Sequence, residues 1–115
     1  MADKIHDPVK VRPERPRARR YSFVASVELV DVQSELQLQG RVTEVSLYGC
    51  GVTASKPLFT GTKLRIRITS KSRTFSALGK VAYATTNGDM GIVFVSIEPN
   101  EQLILENWIS ELRDR

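Results

Sequence analysis

Residues 62–70, TKLRIRITS, alternate strictly: Leu64, Ile66 and Ile68 are apolar, and Arg65, Arg67 and Thr69 are polar. Successive side chains of a β-strand point to opposite faces, so this period of two predicts a strand with one face buried. The same period continues on both sides. Downstream, TFSALGKVAYAT places Phe75, Ala77, Val81 and Tyr83 on the inward face, and MGIVFVSI follows a turn signal, NGD, at 87–89. Upstream, CGVTA reads as a short strand, and SELQLQGRVTEV sets Leu36 and Leu38 against Gln37 and Gln39. Before it, YSFVASVELVD carries Tyr21, Phe23, Ala25, Val27 and Leu29 at period two.

The period changes only at the end of the chain. In EPNEQLILENWISELR, residues Leu105, Trp108, Ile109 and Leu112 recur at i, i+3, i+4 and i+7, the apolar stripe of a helix. Pro99 suits its first turn, and Arg113 and Arg115 suit its C-terminal end. Six short strands at close spacing with one terminal helix predict an all-β fold, an antiparallel barrel or sandwich and not βαβ units, with the helix packed on the barrel or over one open end.

Charge is unevenly placed. The 115 residues carry a formal net charge of +4. Residues 1–20 hold seven Lys/Arg and three acids, and the rest of the chain holds ten of each, so the whole excess sits on the first 20 residues. That segment also holds Pro8, Pro13 and Pro16 and few large apolar side chains. It is expected to be a mobile basic arm, 1–20, ahead of a folded body, 21–115, because it buries too little to offset the entropy of ordering. A basic arm on a neutral body points to an anionic partner.

No apolar run approaches the roughly 20 residues a membrane helix needs, so no membrane insertion is expected. The charged N-terminus has no apolar segment of the secretory type, and the single cysteine, Cys50, permits no intrachain disulfide. A cytoplasmic location is expected.

Signatures of catalysis are missing. The one histidine, His6, lies in the arm, where nothing is expected to hold it within reach of a proton. Cys50 stands in a strand pattern with no second histidine to activate it, and reads as a small core residue. No Cys/His/acid cluster suggests a metal, and no glycine-rich phosphate loop suggests a nucleotide enzyme. The chain reads as a binding module, without cofactor.

Two segments carry chemistry. RPRARRY, residues 15–21, brings several guanidinium groups, planar forks that pair with phosphate and match the O6/N7 edge of guanine. TEVSLYGCGV, residues 43–52, breaks a strand pattern with Ser46, Gly49 and Gly51. The glycines mark either a bulge or a low surface where backbone N–H groups and a hydroxyl face a ligand.

Taken together, the two segments resemble the PilZ family, whose hallmark is RxxxR before the first strand and [D/N]xSxxG some 20–30 residues later. Arg15 to Arg19 match the first motif, and EVSLYG, Glu44 to Gly49, matches the second at all but its first position. GKVAY, MGIVF and LENWISEL are also similar to the family, and the resemblance spans residues 15–113. It implies a split barrel of six antiparallel strands that binds cyclic di-GMP. The arginines would grip phosphate and guanine, the acidic residue and serine would hydrogen-bond the ligand, and the glycine would keep the surface low. Carried over, these roles fall to Arg15, Arg19, Glu44, Ser46 and Gly49. Arg20 is an adjoining contact, Gly51 is the second strand glycine, and Tyr83 stands where relatives often carry an aromatic near the ligand.

Two positions depart from the pattern. Glu44 replaces Asp or Asn, which lengthens the side chain by one methylene. Arg20 directly precedes the strand, and a motif ending on it would begin at Pro16. The implied function is a cyclic di-GMP receptor that signals to a protein partner by ordering its arm. The alternatives are a protein-interaction module that has kept the barrel and lost the ligand, and non-specific nucleic-acid binding through the arm. A neutral body, with one possible patch at Arg65, Arg67, Lys71 and Arg73, argues against the last.

Overall fold

A computed structural model of the protein describes residues 18–115. Six strands follow in order: β1 (Tyr21–Asp31), β2 (Gln37–Val45), β3 (Gly49–Ala54), β4 (Lys63–Ser70), β5 (Arg73–Ala84) and β6 (Asp89–Ser96). One helix, α1 (Pro99–Arg113), follows them. The strands form a closed antiparallel barrel in the order β1-β2-β3-β6-β5-β4. Two three-stranded meanders, β1–β3 and β4–β6, are joined by the pairs β1/β4 and β3/β6. The expected six-stranded antiparallel barrel with a C-terminal helix is therefore present. The arm lies almost wholly outside the described residues, and with it Arg15, His6 and the expectation of mobility. Ala18, Arg19 and Arg20 lead into β1 without regular secondary structure.

The inward faces match the alternation. On β4, Leu64, Ile66 and Ile68 are fully buried, and Phe75 and Ala77 face them from β5. Val27, Leu29, Val42, Val45, Val52, Met90 and Ile92 complete the interior. The helix begins with Pro99 at its first turn, where a missing N–H costs nothing. It buries Leu105, Trp108 and Ile109 as predicted. Trp108 packs at 5.2 Å from Phe23 and 6.1 Å from Phe75, while Glu101 accepts the Ser76 N–H at 2.8 Å. These contacts fix α1 against β5 and β1.

Two positions break the expected alternation. Leu36 is exposed because β2 begins only at Gln37; Leu36 belongs to the β1–β2 turn, where Glu35 adopts a positive φ of 66°. Tyr83 is 51% exposed rather than inward. Its strand carries one extra residue between Val81, opposite Ile92, and Tyr83, opposite Gly91. This bulge at Ala82 reverses which face the following side chains take. A comparable slip on β2 lies between Val42, opposite Val52, and Glu44, opposite Gly51. A third lies on β1 between Ser22, opposite Glu44, and Ala25, opposite Val42.

Candidate functional site

The slips on β2 and β5 are where an ordinary ladder is re-aimed toward one open pocket of about 270 Å³. Arg20, Glu44, Ser46, Tyr48, Gly49, Tyr83 and Gly91 all line it, with Cys50 and Ile92 at its apolar side. Residues from the two sequence segments thus meet, as do Glu44 and Tyr83 from strands far apart in the chain.

Each side chain is placed by a local cause. Ser46 opens the β2–β3 turn. Its N–H donates to the Gly49 carbonyl at 2.9 Å, and its Oγ accepts the Tyr48 N–H at 3.0 Å. The Ser46 side chain therefore builds the turn by accepting, which leaves its O–H able to donate. Gly49 is required by space rather than by backbone angle: among the described residues only Gly61 and Gly88 are glycines with positive φ. A Cβ on Gly49 would overlap the Ile92 carbonyl oxygen and sit 3.1 Å from Val93 Cα. The glycine lets β3 come hard against β6, which keeps this wall low.

Gly51 has a different task. It is the cross-strand partner of Glu44, and a Cβ there would lie 3.0 Å from Glu44 Cγ and 3.4 Å from its Oε2. The Glu44 stem lies across the space that a side chain at 51 would fill. The extra methylene of Glu44 is thus accommodated along β3. Its carboxylate reaches Arg20, with Oε2 at 3.8 Å from Nη1. Both groups are solvent-exposed, 64% for Arg20 and 38% for Glu44, so this pair holds by no more than about 1 kcal/mol.

The two arginines next to β1 diverge. Arg20 lines the pocket, whereas the Arg19 guanidinium sits 5.8 Å from the Tyr21 ring centroid in a cation–π arrangement. Tyr83 lies over β6 with its ring against Gly91: a Cβ on Gly91 would stand 2.6 Å from Tyr83 Cζ and 2.8 Å from Cδ2. A flat aromatic face is thereby presented at the pocket.

Cys50 is buried, and loss of water together with the nearby Glu44 charge pushes its thiol up to about 12. It is a protonated lining group, as the core reading expected. Elsewhere, Arg65 and Arg67 are paired with Glu35 at 3.4 Å and Glu28 at 3.6 Å. Two of the four charges of the body's basic patch, Arg65 and Arg67 of Arg65, Arg67, Lys71 and Arg73, are therefore answered. Among the described residues no helix is long and apolar enough to cross a membrane.

Tyr48, Gly91 and Val93 are among the pocket residues that the motif does not name. Tyr48 sits inside the second motif at a position where any residue is allowed. Gly91 becomes meaningful only when paired with Tyr83 across β5 and β6.

Comparison with known proteins places this geometry. The family model of the PilZ domain matches residues 14–111. Among solved structures, the PilZ domain with c-di-GMP of YcgR from Escherichia coli superposes with a TM-score of 0.71 at 16% identity, covering 88% of this chain and 93% of that one. The PilZ domain of CeSA from a cellulose-synthesizing bacterium gives 0.67 at 15% identity, covering 83% and 98%. The Bacillus subtilis inhibitor of motility, MotI/DgrA, gives 0.68 at 19% identity, covering 89% of this chain and 53% of that one. No curated protein sequence matches the chain.

Proposed function

The chain belongs to the PilZ domain family, and on that premise we propose that it is a cytoplasmic receptor for cyclic di-GMP, a binding module and not an enzyme. One observation carries the proposal: a guanidinium, a carboxylate, a hydroxyl, an aromatic face and a glycine floor converge on one pocket beside the point where the chain enters the barrel. The YcgR domain that superposes on this one holds c-di-GMP.

The chemistry follows from the parts. Cyclic di-GMP presents two phosphates and two guanines. Arg20 exchanges its loose contact with Glu44 for a phosphate, a bidentate partner of higher charge density. The freed Glu44 carboxylate accepts guanine N–H groups, and the Ser46 hydroxyl donates to phosphate or to a guanine acceptor. Tyr83, flat over Gly91, takes the face of a base. Gly49 and Gly51 serve by absence: the first keeps the wall low, and the second leaves room for the Glu44 stem. Arg19 is released from Tyr21 and Arg15 is brought in from the arm, so that binding orders the arm. The changed surface at the barrel rim is then read by a protein partner.

Calorimetric titration with cyclic di-GMP tests this. Saturable heat that is lost in Arg20→Ala is expected. No heat at high micromolar ligand, in a sample shown to be folded, refutes it. The Arg20–Glu44 pair also motivates a second reading, in which the two charges satisfy each other and the domain is an interaction module without ligand. That reading expects Arg19→Ala with Arg20→Ala to leave partner binding intact.

A further inference from the structure

Tyr48 is a large aromatic side chain in the pocket to which neither the motif nor the family resemblance gives a role. It is 56% exposed, although its main chain is tied at both ends. Its N–H donates to Ser46 Oγ at 3.0 Å, and its carbonyl accepts the Phe94 N–H at 2.8 Å. A tyrosine whose backbone is pinned retains only its two side-chain torsions, so seating its ring on a ligand costs little entropy. More than half of the residue is open to solvent, and among the described residues its ring pairs with no other aromatic.

Its position within the barrel is informative. β6 runs between β3 and β5. Tyr48 stands just ahead of β3, hydrogen-bonded to β6 at Phe94, while Tyr83 stands on β5, opposite Gly91 of β6. Both line the same pocket, with Gly49 and Gly91 between them along the β6 side. The pocket therefore has an aromatic residue on either flank of a floor made low by glycine.

We infer that Tyr48 is a ligand-contacting residue that stacks on a purine of the bound dinucleotide, a second aromatic platform beside Tyr83. The inference rests on the cyclic di-GMP reading and extends it to a position that the motif leaves free. Aromatic–base stacking is independent of base edge and depends on ring area, so the requirement at 48 is for a flat ring and not for the phenol hydroxyl.

The experiment compares wild type, Tyr48→Phe and Tyr48→Ala in calorimetric titrations with cyclic di-GMP, each sample first checked by thermal melting. Because the Tyr48 side chain leaves the backbone hydrogen bonds unchanged, both variants are expected to melt as wild type does. Tyr48→Phe is expected to bind within about threefold of wild type, and Tyr48→Ala to weaken binding roughly ten- to a hundredfold. Wild-type affinity in Tyr48→Ala overturns the inference and leaves the receptor reading standing. An absence of binding in wild type itself refutes that reading instead. Equal loss in Phe and Ala overturns the stacking role in favour of a hydrogen bond from the hydroxyl.

Discussion

Gly49 and Gly91 line the same pocket, yet adding a methyl to each is expected to do opposite things. At Gly49 the new Cβ overlaps the Ile92 carbonyl oxygen, a backbone atom inside the β3/β6 ladder. Neither strand can retreat without disturbing pairs on its other side, because the barrel is closed. The cost is that of forced overpacking, about 1–3 kcal/mol. For a domain of this size, that lowers the melting temperature by roughly 5–20 °C. At Gly91 the three atoms nearest the new methyl all belong to the Tyr83 ring, the free end of a side chain that is half in solvent. The ring swings away for about 1 kcal/mol or less. The smaller entropy of an alanine in the unfolded chain offsets much of that. Gly91→Ala should therefore melt within about 3 °C of wild type, while losing roughly tenfold or more in cyclic di-GMP affinity as Tyr83 leaves its place. Circular dichroism melts and calorimetric titrations of both variants are the assay. If Gly91→Ala melts as low as Gly49→Ala, or if Gly49→Ala melts like wild type, the steric account of both glycines is wrong.

Other outcomes follow from single contacts. Arg20→Ala should change the melting temperature by less than about 3 °C, its ion pair with Glu44 being exposed, yet weaken cyclic di-GMP at least tenfold by calorimetry. Ser46→Ala removes the acceptor for the half-buried Tyr48 N–H and should cost about 1 kcal/mol in urea unfolding, with a midpoint shift to match. The Cys50 thiol is raised in the fold to about 12 from its ordinary 9.0. The unfolded chain therefore releases that proton first as pH rises. The contribution is intact below pH 9 and is lost between about 9 and about 12, at up to about 1.4 kcal/mol per pH unit. Urea melts across that window should show the decline, and Cys50→Ala should remove that part of it. Native protein should also resist a thiol reagent near neutral pH and react once unfolded.

The strands and the helix were legible because their signal is local. Leu64, Ile66 and Ile68, or Leu105, Trp108 and Ile109, announce a buried face from neighbours a few residues away. Half of the site was legible for the same reason, since Ser46 and Gly49 fall within one short motif. What could not be read depends on pairs distant in the chain. Strict alternation predicts Tyr83 inward, and a single extra residue at 82 turns it outward. Gly49 is dictated by a carbonyl at Ile92, and Gly51 by the length of Glu44 across a strand pair. The choice between Arg19 and Arg20 rests on how the entering chain meets the rim. No spacing rule states any of these, because each is a distance between strands whose register must first be known.

The closed ring also limits how the domain can be joined. A sheet with an open edge offers unpaired N–H and carbonyl groups, onto which another chain can lay a strand. Here every described strand has a neighbour on both sides. Strand addition, with the tolerance for sequence that main-chain pairing brings, is closed along the paired lengths of the barrel, and the start of β1, Tyr21–Ala25, is the stretch that β4 does not pair. Along those paired lengths recognition goes through side chains, and so does any signal.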